Sequence, residues 1–126
     1  MPEETTPAAP AVEVRRSKDF ISVYANSMLF EASVWDLKLI LGILDQTGGK
    51  VAVEQHTAVS IPWTQAKLLC YWLRLNLEIY EMNNGKIHIP QGVRPPVPPE
   101  PETKDAQNMA LFELAKKLHQ EFMASL

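Results

Sequence analysis

The chain is short of several things that would assign it a chemistry. Its 126 residues include one cysteine, Cys70, so no internal disulfide can form and a reducing compartment is the expected setting. Glycine is sparse, and the pair Gly48-Gly49 lacks the strand-to-helix context that aims backbone N–H groups at a phosphate. Positive charge is not in excess: 12 Lys and Arg against 15 Asp and Glu leave a net charge of −3, which gives no general attraction to a nucleic-acid backbone or an anionic lipid surface. The one basic cluster, Arg15, Arg16 and Lys18, reads as a solvated lead-in to a strand. No apolar run approaches the roughly twenty residues of a membrane span, and the opening MPEETTPAAPAVEV has no apolar segment of the signal-peptide kind. A cytoplasmic location is expected.

Catalytic and metal signatures are missing in the same way. His56, His88 and His119 fall in three separate segments without ligand spacing, so no metal is expected. No nucleophile elbow or comparable local motif is present. Asp36 and Glu54 suit a turn and a strand surface better than an acid–base pair. No catalytic residue and no cofactor-binding residue is therefore nominated, and the protein is expected not to be an enzyme.

What the sequence does carry is pattern. Residues 1–17, rich in Pro, Ala, Thr and Glu, read as a flexible tail. From Phe20 to Ala32, β-branched and aromatic residues dominate, with Asn26-Ser27 as an interruption, and this is strand territory. Leu37, Leu39, Leu41 and Ile43 then alternate on one face of a second strand; Gly42 disfavours a helix there. A third strand over 51–61 sets Val51, Val53, Gln55, Thr57, Val59 and Ile61 against Ala52, Glu54, His56, Ala58 and Ser60. Short links between these runs favour an antiparallel meander. Lys86–Pro90 is a candidate fourth, short strand.

Ser60-Ile61-Pro62 reads as the start of a long helix, with Ser60 as cap, and Asn83-Asn84-Gly85 as its stop. Thr64, Lys67, Tyr71, Arg74, Glu78 and Glu81 form one narrow polar stripe. Trp63, Ala66, Leu69, Cys70, Leu73, Leu77 and Tyr80 make one apolar flank, and Leu68, Trp72, Leu75, Ile79 and Met82 the other. An arc this wide calls for two coverings. The sheet is expected to supply one, with Leu73 buried against it, and a second subunit or the C-terminal segment the other. Beyond Pro90, six prolines in residues 90–101 favour an extended semi-rigid strap of about 40 Å. Asp105 then caps a last helix, whose Leu111, Leu114, Ala115, Leu118 and Phe122 form one stripe and whose Glu113 and Lys117 are spaced to pair.

Several landmarks occur in a recognisable order: Tyr24-Ala25-Asn26, Asp36 opening an apolar strand, Ser60-Ile-Pro-x-x-x-Ala66-Lys67-Leu68-Leu69, and Tyr80-Glu81 before Gly85-x-Ile87. In this the chain resembles the short bacterial and archaeal proteins grouped as a domain of unknown function, family 3467, over about residues 20–89. The resemblance implies a strand-rich first half followed by one long helix, with no established activity or cofactor.

The expected architecture is thus α+β: a tail to residue 17, a core over 18–90 built as a meander of three to four strands and one long helix, a Pro-rich linker over 91–103, and an amphipathic helix over 104–126. A core of about seventy residues buries limited surface, which favours self-association. The expected function is a non-enzymatic interaction or assembly module, a homodimer or higher oligomer, whose C-terminal helix docks on a subunit or a protein partner. Trp63, Leu68, Trp72, Leu75 and Ile79 on the long helix and Leu111, Leu114, Leu118 and Phe122 on the last one are the candidate interface residues. Two alternatives stay open at this point. One is a ligand-binding or enzymatic site formed between subunits by Asp36, His56 and tryptophans; the other is a nucleic-acid-binding dimer, disfavoured by the charge.

Overall fold

A computed structural model describes residues 11–126. The order of elements is β1 (Ser27–Ala32), β2 (Asp36–Asp45), β3 (Ala52–Pro62), α1 (Trp63–Asn84) and α2 (Ala106–Ala124), an α+β arrangement. Of the tail expected over residues 1–17, the first ten lie outside the described residues, and 11–17 form neither helix nor strand. By its contacts the chain divides into two compact units, Met1–Trp63 and Thr64–Leu126.

The first unit is a three-stranded antiparallel sheet in the order β1-β2-β3, the meander that the short links favour. β2 is central because its alternating leucines and isoleucines suit a strand with neighbours on both sides. β1 is shorter than the expected run: residues 20–26 are not part of the sheet, although Asn26 extends the pairing by one step. Its backbone N–H donates to Gly42 O (3.1 Å), and its side-chain Oδ1 accepts from the Leu44 N–H (2.7 Å). The β1–β2 reversal is built on Ser33, whose Oγ accepts from the N–H groups of Trp35 (3.1 Å) and Asp36 (3.0 Å) and donates to Asp36 Oδ1 (3.0 Å).

The β2–β3 pairing corrects the simple alternation expected for the third strand. Leu41 faces Thr57 but Gly42 faces Gln55, so His56 is an extra residue in a β-bulge. Opposed residues in an antiparallel pair share a face, and the bulge therefore moves Val53 and Gln55 to the face opposite Thr57, Val59 and Ile61, while Glu54 joins the latter. Gly42 is the place where this is accommodated. It is buried, and a Cβ there would lie 2.5 Å from the Glu54 carbonyl oxygen.

β3 continues to Pro62, which pairs with Asp36, and α1 begins at Trp63 without an intervening cap segment. The start expected at Ser60 is thus displaced by sheet pairing, and proline is tolerated at the end of an edge strand. The other end of α1 is as expected. Gly85 adopts a left-handed φ of 85° and its N–H donates to Glu81 O (2.9 Å), closing the last turn. Glu81 Oε2 also accepts from the Ile87 N–H (2.9 Å). The candidate fourth strand over Lys86–Pro90 does not form; those residues are irregular, and the sheet has three strands.

In the second unit, a single 3-10 turn (Gln91–Val93) precedes the prolines, and Arg94 Nε donates to Ile89 O (3.0 Å). The strap meets α2 at one point, where His119 Nε2 and the Pro95 carbonyl lie 3.0 Å apart. α2 opens as expected at Asp105, whose side chain accepts from the Asn108 N–H (2.7 Å). The Glu113–Lys117 pair is not among the ion pairs formed by the described residues.

Candidate interaction surface

Neither unit buries a hydrophobic side chain among the described residues. In the sheet, the register sets Met28, Phe30 and Ala32 of β1, Leu37, Leu39, Leu41 and Ile43 of β2, and Glu54, Thr57, Val59 and Ile61 of β3 on one face. This face is largely apolar, yet Met28 and Phe30 are exposed and the β2 residues only half-buried. The opposite face mixes Leu29, Ile40, Leu44 and Val53 with Gln55, Ser60 and the pair Glu31–Lys38, whose charged groups lie 3.8 Å apart.

α1 has no buried residue at all. Leu73, expected to lie covered against the sheet, is 54% exposed. Cys70, expected within a buried pattern, is also exposed. The α1 interface candidates Leu68, Trp72, Leu75 and Ile79 are exposed as well, and Tyr71 packs edge-on to Trp72 with ring centroids 4.9 Å apart. Trp63 differs from them. Its indole N–H donates to Ser33 O (2.9 Å), so its ring is tied to the β1–β2 turn while remaining partly open.

α2 presents two unlike sides. Asn108, Met109, Phe112, His119 and Met123 are half-buried, and they recur at steps of three, four and seven on the side that His119 turns to the strap. The candidates Leu111, Leu114, Leu118 and Phe122 are exposed. The covered side was not singled out from sequence, although the spacing of Phe112, His119 and Met123 was there to be read.

The polar candidates do not converge. Asp36 opens β2 and is occupied by the Ser33 turn, whereas His56 sits in the bulge facing the Leu41–Gly42 step, five to six residues or about 20 Å further along the strand. His56 is engaged on both ring nitrogens: Nε2 meets Tyr24 O at 2.8 Å and Nδ1 meets Thr57 Oγ1 at 2.7 Å. A carbonyl can only accept, so Nε2 carries the proton. The imidazole thus reaches from the third strand to the segment before the first, past the one β2 residue without a side chain. Glu54, Ile43, Leu44 and Asp45 line a shallow open pocket with His56. The Asp45 carboxyl is held below its ordinary pKa by the backbone N–H of Thr47 (2.8 Å) and then by the Thr47 hydroxyl (2.7 Å). These contacts serve a local turn.

Among the described residues, no group of three or more His, Cys, Asp or Glu side chains is placed to hold a metal ion. No helix among them is long and apolar enough to cross a membrane. Comparison with known proteins returns nothing: no family model, no curated protein and no solved structure matches the chain.

Proposed function

We propose that the chain is a non-enzymatic assembly module of the cytoplasm, which completes its core by associating with further copies of itself. One observation carries this reading: among the described residues no hydrophobic side chain is buried, while large ones are exposed on the sheet, on α1 and on α2 alike. Folding must offset about 1–2 kcal/mol of backbone entropy per residue, and burial of apolar surface is the main term available to do so. A chain with this much ordered structure and no fully buried apolar side chain among the described residues needs a further surface against it. Membership of family 3467 belongs to the same proposal, and the strand-rich first half followed by one long helix supports it.

Sedimentation equilibrium combined with thermal unfolding at several concentrations tests the reading. The expected result is a mass that is a multiple of 14.2 kDa and a midpoint that rises with protein concentration. A 14.2 kDa species that unfolds cooperatively at a concentration-independent temperature would mean that the chain covers its own apolar surface, and the proposal would fall.

A further inference from the structure

The two apolar flanks of α1 differ in a way that singles out one of them. From Leu68, steps of four, three, four and three lead through Trp72, Leu75 and Ile79 to Met82. That alternation keeps a seam on one side of a helix facing another helix. At about 100° per residue the seam lies opposite the flank of Ala66, Leu73 and Leu77. On the latter flank Ala66 and Leu69 are half-buried, and Leu73, Leu77 and Tyr80, themselves exposed, line an apolar groove with Ile87. Leu68, Trp72, Leu75, Ile79 and Met82 are all exposed, from 38% at Leu75 to 79% at Met82.

Charge beside the seam selects both the occupant and its direction. On one flank of the seam Lys67 comes first along α1 and Glu78 follows near its C-terminal end, whereas Arg74 and Glu81 are turned further from the seam. Two parallel copies would set like charges level with each other. Two antiparallel copies set Lys67 of each near the partner subunit's Glu78 and oppose the helix dipoles favourably. Arg74, close to the two-fold axis and turned away from the seam, stays paired with Glu78 of its own helix. We propose that this seam pairs two copies of the chain antiparallel about a two-fold axis. Leu68 then packs against the partner subunit's Ile79, and Trp72 against the partner subunit's Leu75, each contact being made twice. In this register Lys67 comes within about 3 Å along the helix axis of the level of the partner subunit's Glu78. Tyr71, Arg74, Leu75 and Glu78 enclose a hollow on the flank of the seam, and a quartet at i, i+3, i+4 and i+7 is the shape that receives a side chain from a facing helix.

The proposal rests on the assembly reading, and one experiment separates the two. In the full-length chain with Cys70→Ala, the variants Tyr71→Cys and Glu78→Cys are oxidised singly and as an equal mixture. Antiparallel pairing brings position 71 within about 3 Å along the axis of the partner subunit's position 78, against roughly 8 and 14 Å for the like positions, so disulfide-linked dimer is expected to be at least tenfold more abundant in the mixture than in either variant alone. Equal linkage in the single variants overturns the antiparallel arrangement. No linkage in a mixture that still sediments as an oligomer overturns the seam, whether a foreign helix or nothing covers it, and leaves the assembly reading standing. A monomer at every concentration overturns both. Leu75→Glu is expected to weaken self-association by at least a hundredfold, and an unchanged dissociation constant overturns the proposal.

Discussion

Gly42→Ala is the sharpest available perturbation of the sheet. The added Cβ would stand 2.5 Å from Glu54 O and 3.1 Å from the Gln55 Cα, both backbone atoms that cannot rotate away. Relief requires β2 and β3 to part locally by about 0.5–1 Å, and overpacking of this kind costs about 1–3 kcal/mol. The displacement falls at the bulge, between the Leu41–Thr57 and Gly42–Gln55 pairs. It also falls beside the Asn26 N–H to Gly42 O bond. Weakening one such hydrogen bond adds about 0.5–1.5 kcal/mol. Against this, alanine reduces unfolded-chain entropy and so stabilises by about 0.4–1 kcal/mol. The net expectation is a loss of about 0.5–4 kcal/mol, read from urea unfolding followed by far-UV circular dichroism at fixed protein concentration, because association contributes to the apparent stability. A variant as stable as the parent, or more so, would show that the bulge does not press on Gly42 and would refute the account of why a glycine stands there.

Three further outcomes follow from local geometry. Gly85→Ala should destabilise by about 1 kcal/mol through its left-handed φ alone, since no atom lies within 4 Å of the added Cβ; unchanged thermal unfolding would remove Gly85 as the stop of α1. Asp105→Ala should cost about 1 kcal/mol of α2 stability and speed hydrogen exchange at the Asn108 amide, and unaltered exchange would show the cap to be dispensable. By NMR titration the Asp45 carboxyl should protonate below its ordinary range, and Thr47→Val should shift it back upward. With the folded pKa depressed, the contribution of Asp45 is complete above its unfolded value and is lost as pH falls through the folded one.

The parts of the fold that could be read from the sequence are those set by one or two neighbouring residues. The alternation of Leu37, Leu39, Leu41 and Ile43 announced β2, Gly85 the end of α1 and Asp105 the start of α2, because period, left-handed φ and capping are local properties. What escaped was decided by pairing across the chain. The extra residue at His56 reverses the faces of Val53 and Gln55, and no pattern within β3 reveals that its partner strand is one residue shorter there. Sheet pairing at Asp36–Pro62 likewise delayed α1 past its apparent start at Ser60. Residues 20–26 have strand composition without a strand neighbour, and Lys86–Pro90 has too little length to recruit one. Of the candidate surface, every hydrophobic named from the helical spacing is exposed, but the apolar face of the sheet, with Met28 and Phe30 uncovered, followed only from the register.

The bulge also makes two positions in different strands answerable to each other across evolution. Removing Gln55 would make β3 match β2 residue for residue, carry the peptide group of Glu54 away from Gly42, and let a side chain stand at position 42 without strain. The same shortening would leave Val53 paired with Leu44, on the face opposite Val59 and Ile61. A lineage could therefore exchange the glycine for a larger residue only after losing one residue from the facing strand. Each change made in the opposite order would pass through a destabilised intermediate.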